Sequence, residues 1–81
     1  MRVHLLYFAS FREAVGRDEE TREVPEHSRV SDLWRELCRE IPHFRRFDRM
    51  PPAAVNRAYA KPEAPLSDGD EVTFLPPVAG G

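Results

Sequence analysis

Val30-Ser31-Asp32-Leu33-Trp34-Arg35-Glu36-Leu37-Cys38-Arg39-Glu40-Ile41 decides how this chain folds. Its apolar residues Val30, Leu33, Trp34, Leu37, Cys38 and Ile41 recur at i, i+3, i+4, i+7, i+8 and i+11, which is one stripe of an α-helix. Arg35, Glu36, Arg39 and Glu40 fall on the opposite side, so the spacing predicts a helix with one face on a core and the other in water. Ser28 reads as its N-cap, and Asp32 places negative charge near the positive end of the helix dipole. Pro42 stops it, because its ring clashes with the preceding turn. A helix with a single apolar stripe must be covered by another layer.

The flanking segments supply strands for that layer. On the N-terminal side, Val3-His4-Leu5-Leu6-Tyr7-Phe8-Ala9 is a short apolar run with aromatic content and reads as a largely buried strand. Glu20-Thr21-Arg22-Glu23-Val24 is more polar and reads as a second strand near an edge, closed by Pro25. The two read as a hairpin, with Phe11 to Val15 as its connection and Gly16-Arg17-Asp18 as turn chemistry. On the C-terminal side, Pro51-Pro52 closes a polar loop and Ala53-Ala54-Val55-Asn56 reads as a third strand. Ser67-Asp68-Gly69-Asp70 is a turn, and Glu71 to Leu75 is the final strand. The order strand–strand–helix–strand–short element–strand predicts an α+β domain, a mixed sheet with one main helix packed across it. With 81 residues it is one small domain, able to bury about 60–65% of its unfolded surface.

Composition narrows the possible functions. Hydrophobic content of 41% beside 32% charged residues is that of a soluble globular protein. A net charge of −2 gives no general attraction to nucleic acid or to an anionic membrane. No stretch approaches the ~20 apolar residues of a membrane span, and no basic-then-apolar leader is present, so a cytoplasmic location is expected. Cys38 is the single cysteine. It excludes an intrachain disulfide, supplies no zinc or iron–sulfur site by itself, and on the apolar stripe reads as an inert core thiol. Lys61 is the only lysine, and there is one Asn and no Gln, a bias that fits heat adaptation or genomic base composition. His4, His27 and His43 have no spacing that makes a metal pair or places a base beside a nucleophile, so no metal is expected. Asp68, Asp70 and Glu71 surround a turn glycine and read as turn chemistry. Arg45, Arg46 and Arg49, interleaved with Phe44 and Phe47, read as a solvated loop whose phenylalanines tuck under the helix.

What remains is the C-terminal stretch. After the last strand, Pro76-Pro77 cannot extend a sheet ladder and steers the chain off the domain. The domain is therefore expected to span 1–77, with 78–81 as a flexible reactive tail. Val78 to Gly81 could reach roughly 13 Å, at about 3.3 Å per residue. Gly80 and Gly81 lack Cβ atoms, so they can enter a narrow channel and bring a free carboxylate to its end. A frayed terminus is the plain alternative, but a strand and a double proline that present the tail favour function.

The closing segment Leu66 to Gly81, with Asp68-Gly69-Asp70-Glu71-Val72, Pro76-Pro77 and Gly80-Gly81, resembles the C-terminus of the molybdopterin synthase small subunits. Val3 through Ala9, Arg12-Glu13, Gly16 and Ala53-Ala54-Val55-Asn56 resemble the same family, so the similarity runs along the whole chain. It implies the ubiquitin-like β-grasp fold. It also implies that an E1-like activating enzyme uses ATP to adenylate Gly81, and that a sulfurtransferase supplies persulfide sulfur. The transient acyl-adenylate thereby becomes a thiocarboxylate. The large synthase subunit then takes in the tail, with Gly80 easing access, and sulfur passes to cyclic pyranopterin monophosphate on the way to molybdenum cofactor. On this resemblance the chain binds no cofactor stably and is no enzyme by itself, the active-site groups coming from the large subunit. The contact surface falls on Phe8, Tyr59, Leu75, Pro76, Pro77 and Val78, with Tyr59 standing where the family has an aliphatic residue. A ubiquitin-like modifier joined through Gly81, a sulfur carrier for tRNA or thiamine thiolation, and a plain β-grasp interaction module are the alternatives.

Overall fold

Strict alternation shapes the first strand. In a computed structural model that describes residues 1–77, β1 (Arg2–Leu6) turns Val3 and Leu5 inward and leaves Arg2, His4 and Leu6 on the other side. The remaining elements are α1 (Ala9–Val15), β2 (Glu19–Glu23), α2 (Val30–Glu40), a 3₁₀ turn (Pro42–Arg46), β3 (Ala53–Val55), β4 (Ala58–Ala60) and β5 (Glu71–Phe74). The sheet order is β2-β1-β5-β3-β4. β1 and β5 are parallel and every other pair is antiparallel, so the sheet is mixed as expected. The helix stripe is as the spacing predicts, with Val30, Leu33, Trp34 and Leu37 buried and Cys38 and Ile41 packed at its margin. These side chains join Val3, Leu5, Ala53, Val72 and Phe74 in one buried cluster on a single face of the sheet. This is the β-grasp arrangement.

Three local expectations are corrected. First, the hairpin connection is a helix: α1 occupies Ala9–Val15, and its Phe11 is fully buried. Only one residue of its seven points fully inward, so there is no period to detect, yet that ring meets Phe44 at 4.7 Å and Phe47 at 5.5 Å between centroids. Gly16 ends the helix at φ 86°, a left-handed cap that glycine takes without a Cβ clash, and its N–H donates to Arg12 O at 2.8 Å. Second, β1 stops at Leu6 rather than Ala9, which turns to φ 47° to open α1, and β5 stops at Phe74 rather than Leu75. Asn56 likewise leaves β3 to enter a turn. Third, Ser28 is not the N-cap. Its hydroxyl donates to Pro25 O at 2.6 Å in the preceding turn, and Arg29 caps α2 with its own N–H donating to Asp32 Oδ2 at 2.8 Å. Serine competes for local carbonyls as readily as it caps.

A polar chain ties the edge strand to the helix. Tyr7 Oη donates to Glu20 at 2.6 Å, Arg22 donates to Glu20 at 3.2 Å, and both terminal nitrogens of Arg22 reach Glu40 at 2.7 and 2.8 Å. The Arg22 hydrogen bond holds the Glu40 carboxyl below its ordinary range, while burial and the Glu20 hydrogen bond push the Tyr7 phenol up.

The β3–β4 hairpin turns on Asn56-Arg57, both at positive φ (52° and 70°). Asn56 has reason to be there. Its Nδ2 donates to Asp70 at 2.9 Å and its Oδ1 accepts the Glu71 N–H at 3.0 Å, pinning the turn to the start of β5. Arg57 has no such compensation, since its side chain is 90% exposed and lies 3.9 Å from Glu71. Left-handed backbone costs a residue with a Cβ about 1–2 kcal/mol, against roughly 0.5–1 kcal/mol of extra chain entropy for glycine. Arg57→Gly is therefore expected to stabilise the domain by about 0.5–1 kcal/mol and to raise the melting temperature by roughly 2–8 °C. A thermal melt checks this, and a lowered midpoint would show that Arg57 contributes a contact the turn geometry does not reveal.

Candidate functional site

The helix-free face of the sheet follows from register alone. Residues paired across strands project to the same side, so Glu19, Leu6, Thr73, Ala54 and Tyr59 form one row from β2 to β4. Phe8 continues this parity two residues beyond Leu6, at an extended φ of −126° and ψ of 155°. Leu75 continues it two residues beyond Thr73, and Pro52 lies two residues before Ala54. The Leu75 N–H donates to Pro52 O at 2.8 Å, closing the second row where β5 ends. Among the described residues, the two large apolar side chains that stand out into solvent, Phe8 at 51% and Tyr59 at 84%, both belong to these rows.

The structure thus brings Phe8, Tyr59 and Leu75 onto a single face. Leu75 and Pro76 are half-buried and Pro77 is exposed at the point where the described chain ends. Val78, Gly80 and Gly81, and the flexible tail expected over 78–81, lie outside the described residues. Leu6 and Ala54 were not foreseen as part of this surface. Alternation was the signal for both: with Val3, Leu5 and Tyr7 inward, Leu6 and Phe8 must share the outer side. Tyr59 sits within β4, directly opposite Ala54.

The rest of the chemistry is spoken for. Asp70 Oδ2 accepts the Ser67 N–H at 2.7 Å and Asp68 Oδ1 accepts the Arg2 N–H at 2.8 Å, so the acidic turn closes itself. Gly69 takes φ 87° there. His4 Nδ1 stands 3.3 Å from Thr21 Oγ1 and Nε2 stands 3.6 Å from Glu19, both on the sheet surface. His27 is exposed, and His43 packs edge-on to Phe11, Phe44 and Phe47 in the 3₁₀ turn. Among the described residues no group of three or more His, Cys, Asp or Glu is placed to hold a metal ion. Burial pushes the Cys38 thiol up, away from the thiolate a nucleophile needs. No helix among the described residues is long and apolar enough to cross a membrane. Phe44 is buried and Phe47 packs against the core, as expected of the arginine-rich segment. What this surface presents is an apolar patch of the sheet beside the root of the C-terminal stretch.

Comparison with known proteins supplies the family. The chain matches the ThiS family over residues 5–81. It is 39% identical to the molybdopterin synthase sulfur carrier subunit of Mycobacterium tuberculosis, covering 100% of this chain and 99% of that one. It is 30% identical to small archaeal modifier protein 3 of Haloferax volcanii, with 100% of both chains covered. A solved structure from Pyrococcus furiosus, provisionally assigned as molybdopterin converting factor subunit 1, superposes with a TM-score of 0.83 at 35% identity, covering 96% of this chain and 99% of that one. A family match that spans residues 5–81, together with a relative 39% identical over nearly its full length, places this chain in the ThiS family.

Proposed function

We propose that this chain is the sulfur carrier subunit of a molybdopterin synthase. The observation that supports this most is the conjunction of a full-length likeness to such subunits with an exposed apolar sheet face at the root of a Gly80-Gly81 terminus. In this reading the activating enzyme joins the Gly81 carboxylate to AMP with loss of pyrophosphate. Persulfide sulfur from a sulfurtransferase displaces AMP, and thiol cleavage of the sulfur–sulfur bond leaves a thiocarboxylate. The large subunit binds the Phe8, Leu75 and Tyr59 face and encloses Pro76, Pro77 and Val78 as the tail enters. A thiocarboxylate is a better nucleophile than a carboxylate. Its enclosure beside the cyclic pyranopterin monophosphate makes the attack effectively intramolecular. Acids, bases and phosphate-binding groups come from the large subunit, and the carrier holds no cofactor of its own. The work belongs in the cytoplasm, where the activating enzyme finds ATP.

Phe8→Asp tests the docking face. A carboxylate desolvated at the centre of an interface is expected to weaken binding to the large subunit by about 30-fold or more, with the melting temperature unchanged because Phe8 is already half exposed. Titration calorimetry reads the affinity, and wild-type binding by the variant would reject the assignment.

A second reading is favoured by the likeness to the archaeal modifier: Gly81, adenylated in the same way, is passed to a lysine amine. The two part at the product. Incubation with activating enzyme, ATP and a sulfur donor gives, for the carrier, a chain heavier by the difference between one sulfur and one oxygen. For the modifier it gives amide-linked conjugates.

A further inference from the structure

The segment from Arg45 to Arg49 carries three arginines against one acid, Asp48, in a chain whose net charge is −2. The structure gives these arginines different duties. Arg45 is turned back on α2, where its Nε donates to Cys38 O at 2.7 Å and its Nη2 to Arg39 O at 2.6 Å, satisfying carbonyls that the helix end leaves open. Arg46 and Arg49 are exposed and, among the described residues, make no ion pair and no side-chain hydrogen bond. The backbone that carries them is nonetheless anchored. Phe44 is fully buried, Phe47 meets Trp34 at 6.1 Å and Phe11 at 5.5 Å, and the segment runs through Pro51 into Pro52, the residue that accepts the Leu75 N–H.

We propose that Arg46 and Arg49 form a basic rim on the tail side of the docking face and pair with carboxylates on the rim of the large subunit. The proposal rests on the sulfur-carrier reading above and adds to it the electrostatic half of the recognition. Four observations favour an acidic protein surface as the occupant. The segment that carries the two arginines leads through Pro51 into Pro52, whose carbonyl accepts the Leu75 N–H at the edge of the apolar face. Anchoring by Phe44 and Phe47 lowers the ordering cost of a contact. Guanidinium groups match carboxylates in bidentate geometry, and this chain uses arginine almost throughout. The acids Asp68, Asp70 and Glu71 cluster at the opposite end of β5, so the face is polarised along that strand and a complementary partner docks in one orientation. Nucleic acid is the weaker occupant, because two arginines on a chain of negative net charge give little phosphate neutralisation.

The test compares the intact chain, R46E/R49E and F8D for binding to the large subunit at about 50 mM and 300 mM salt, exposed charges being screened over roughly 10 Å near 0.1 M. For R46E/R49E we expect about tenfold weaker binding at the lower salt, a gap that narrows at the higher salt, a slower association rate and an unchanged melting temperature. Wild-type affinity and salt dependence in R46E/R49E, with F8D weakened, would overturn the rim and leave the sulfur-carrier reading standing. Failure of the wild-type chain itself to bind would overturn both. Binding of single-stranded RNA by the wild-type chain that R46E/R49E abolishes, with large-subunit affinity unaltered, would assign the arginines to nucleic acid instead.

Discussion

Phe11→Ala is expected to cost about 3–5 kcal/mol of folding stability, the range for removing a fully buried aromatic ring. For 81 residues the whole stability of such a domain is of order 4–12 kcal/mol, so the variant should stand near the edge of unfolding at room temperature. The reason lies in what the ring touches. Phe11 is the one fully buried residue of α1, and it meets Trp34 of α2, Phe44 of the 3₁₀ turn and Phe47 beyond it at 6.1, 4.7 and 5.5 Å between centroids. Truncation therefore opens a cavity bordered by three separate parts of the chain, and a helix of seven residues has too little intrinsic stability to hold its place without that anchor. Phe8→Ala, three residues earlier and half exposed, should shift stability by about 0.5 kcal/mol or less. Urea denaturation of the two variants side by side decides the matter, and equal midpoints would mean that α1 is not what fixes the β1–β2 connection.

Phe11 also shows where the sequence was and was not legible. The α2 stripe was readable because eleven residues carry four inward positions at helical spacing, which no strand can imitate. β1 and β5, the parallel pair inside the sheet, were readable from apolar runs with β-branched and aromatic residues, whereas β4 was read only as a short element. α1 was not, because seven residues with one inward side chain look the same in sequence as a turn. Ser28 misled for a related reason: a hydroxyl before a helix can serve the helix or the turn behind it, and only geometry tells which. The proposed docking face was half legible. Phe8, Tyr59 and Leu75 were placed by resemblance, yet what joins them is the register of four strands, including the crossover that sets β5 between β1 and β3. Pairing of that kind is a tertiary property, fixed by the common core and not by any local stretch.

Extending the chain by one residue after Gly81, or deleting Gly81, is expected to abolish sulfur transfer while leaving the melting temperature unchanged. Stability should not respond, because every buried core side chain among the described residues lies between Val3 and Phe74. Reactivity should respond steeply, because the geometry upstream is fixed. Leu75 is tied to Pro52 at 2.8 Å, so the reach from the docking face to the reacting atom is set by the six residues from Pro76 to Gly81, about 20 Å when extended. One residue more or fewer moves the thiocarboxylate by about 3.3 Å, and displacements of about 1 Å already cost on the order of a hundredfold in rate. In the sulfur-carrier reading, an added side chain also enters the passage that Gly80 and Gly81 traverse without a Cβ. Gly80→Ala, which keeps the length and adds one methyl, separates the two effects: a mild loss assigns the defect of the extended chain to length, and a severe loss assigns it to the width of the passage. Single-turnover sulfur transfer, with each carrier first converted to its thiocarboxylate and checked by intact mass, is the measurement. Full transfer by a chain verified to extend beyond Gly81 would defeat the sulfur-carrier reading, and it would defeat the modifier reading as well, since both require the reactive carboxylate to be that of Gly81.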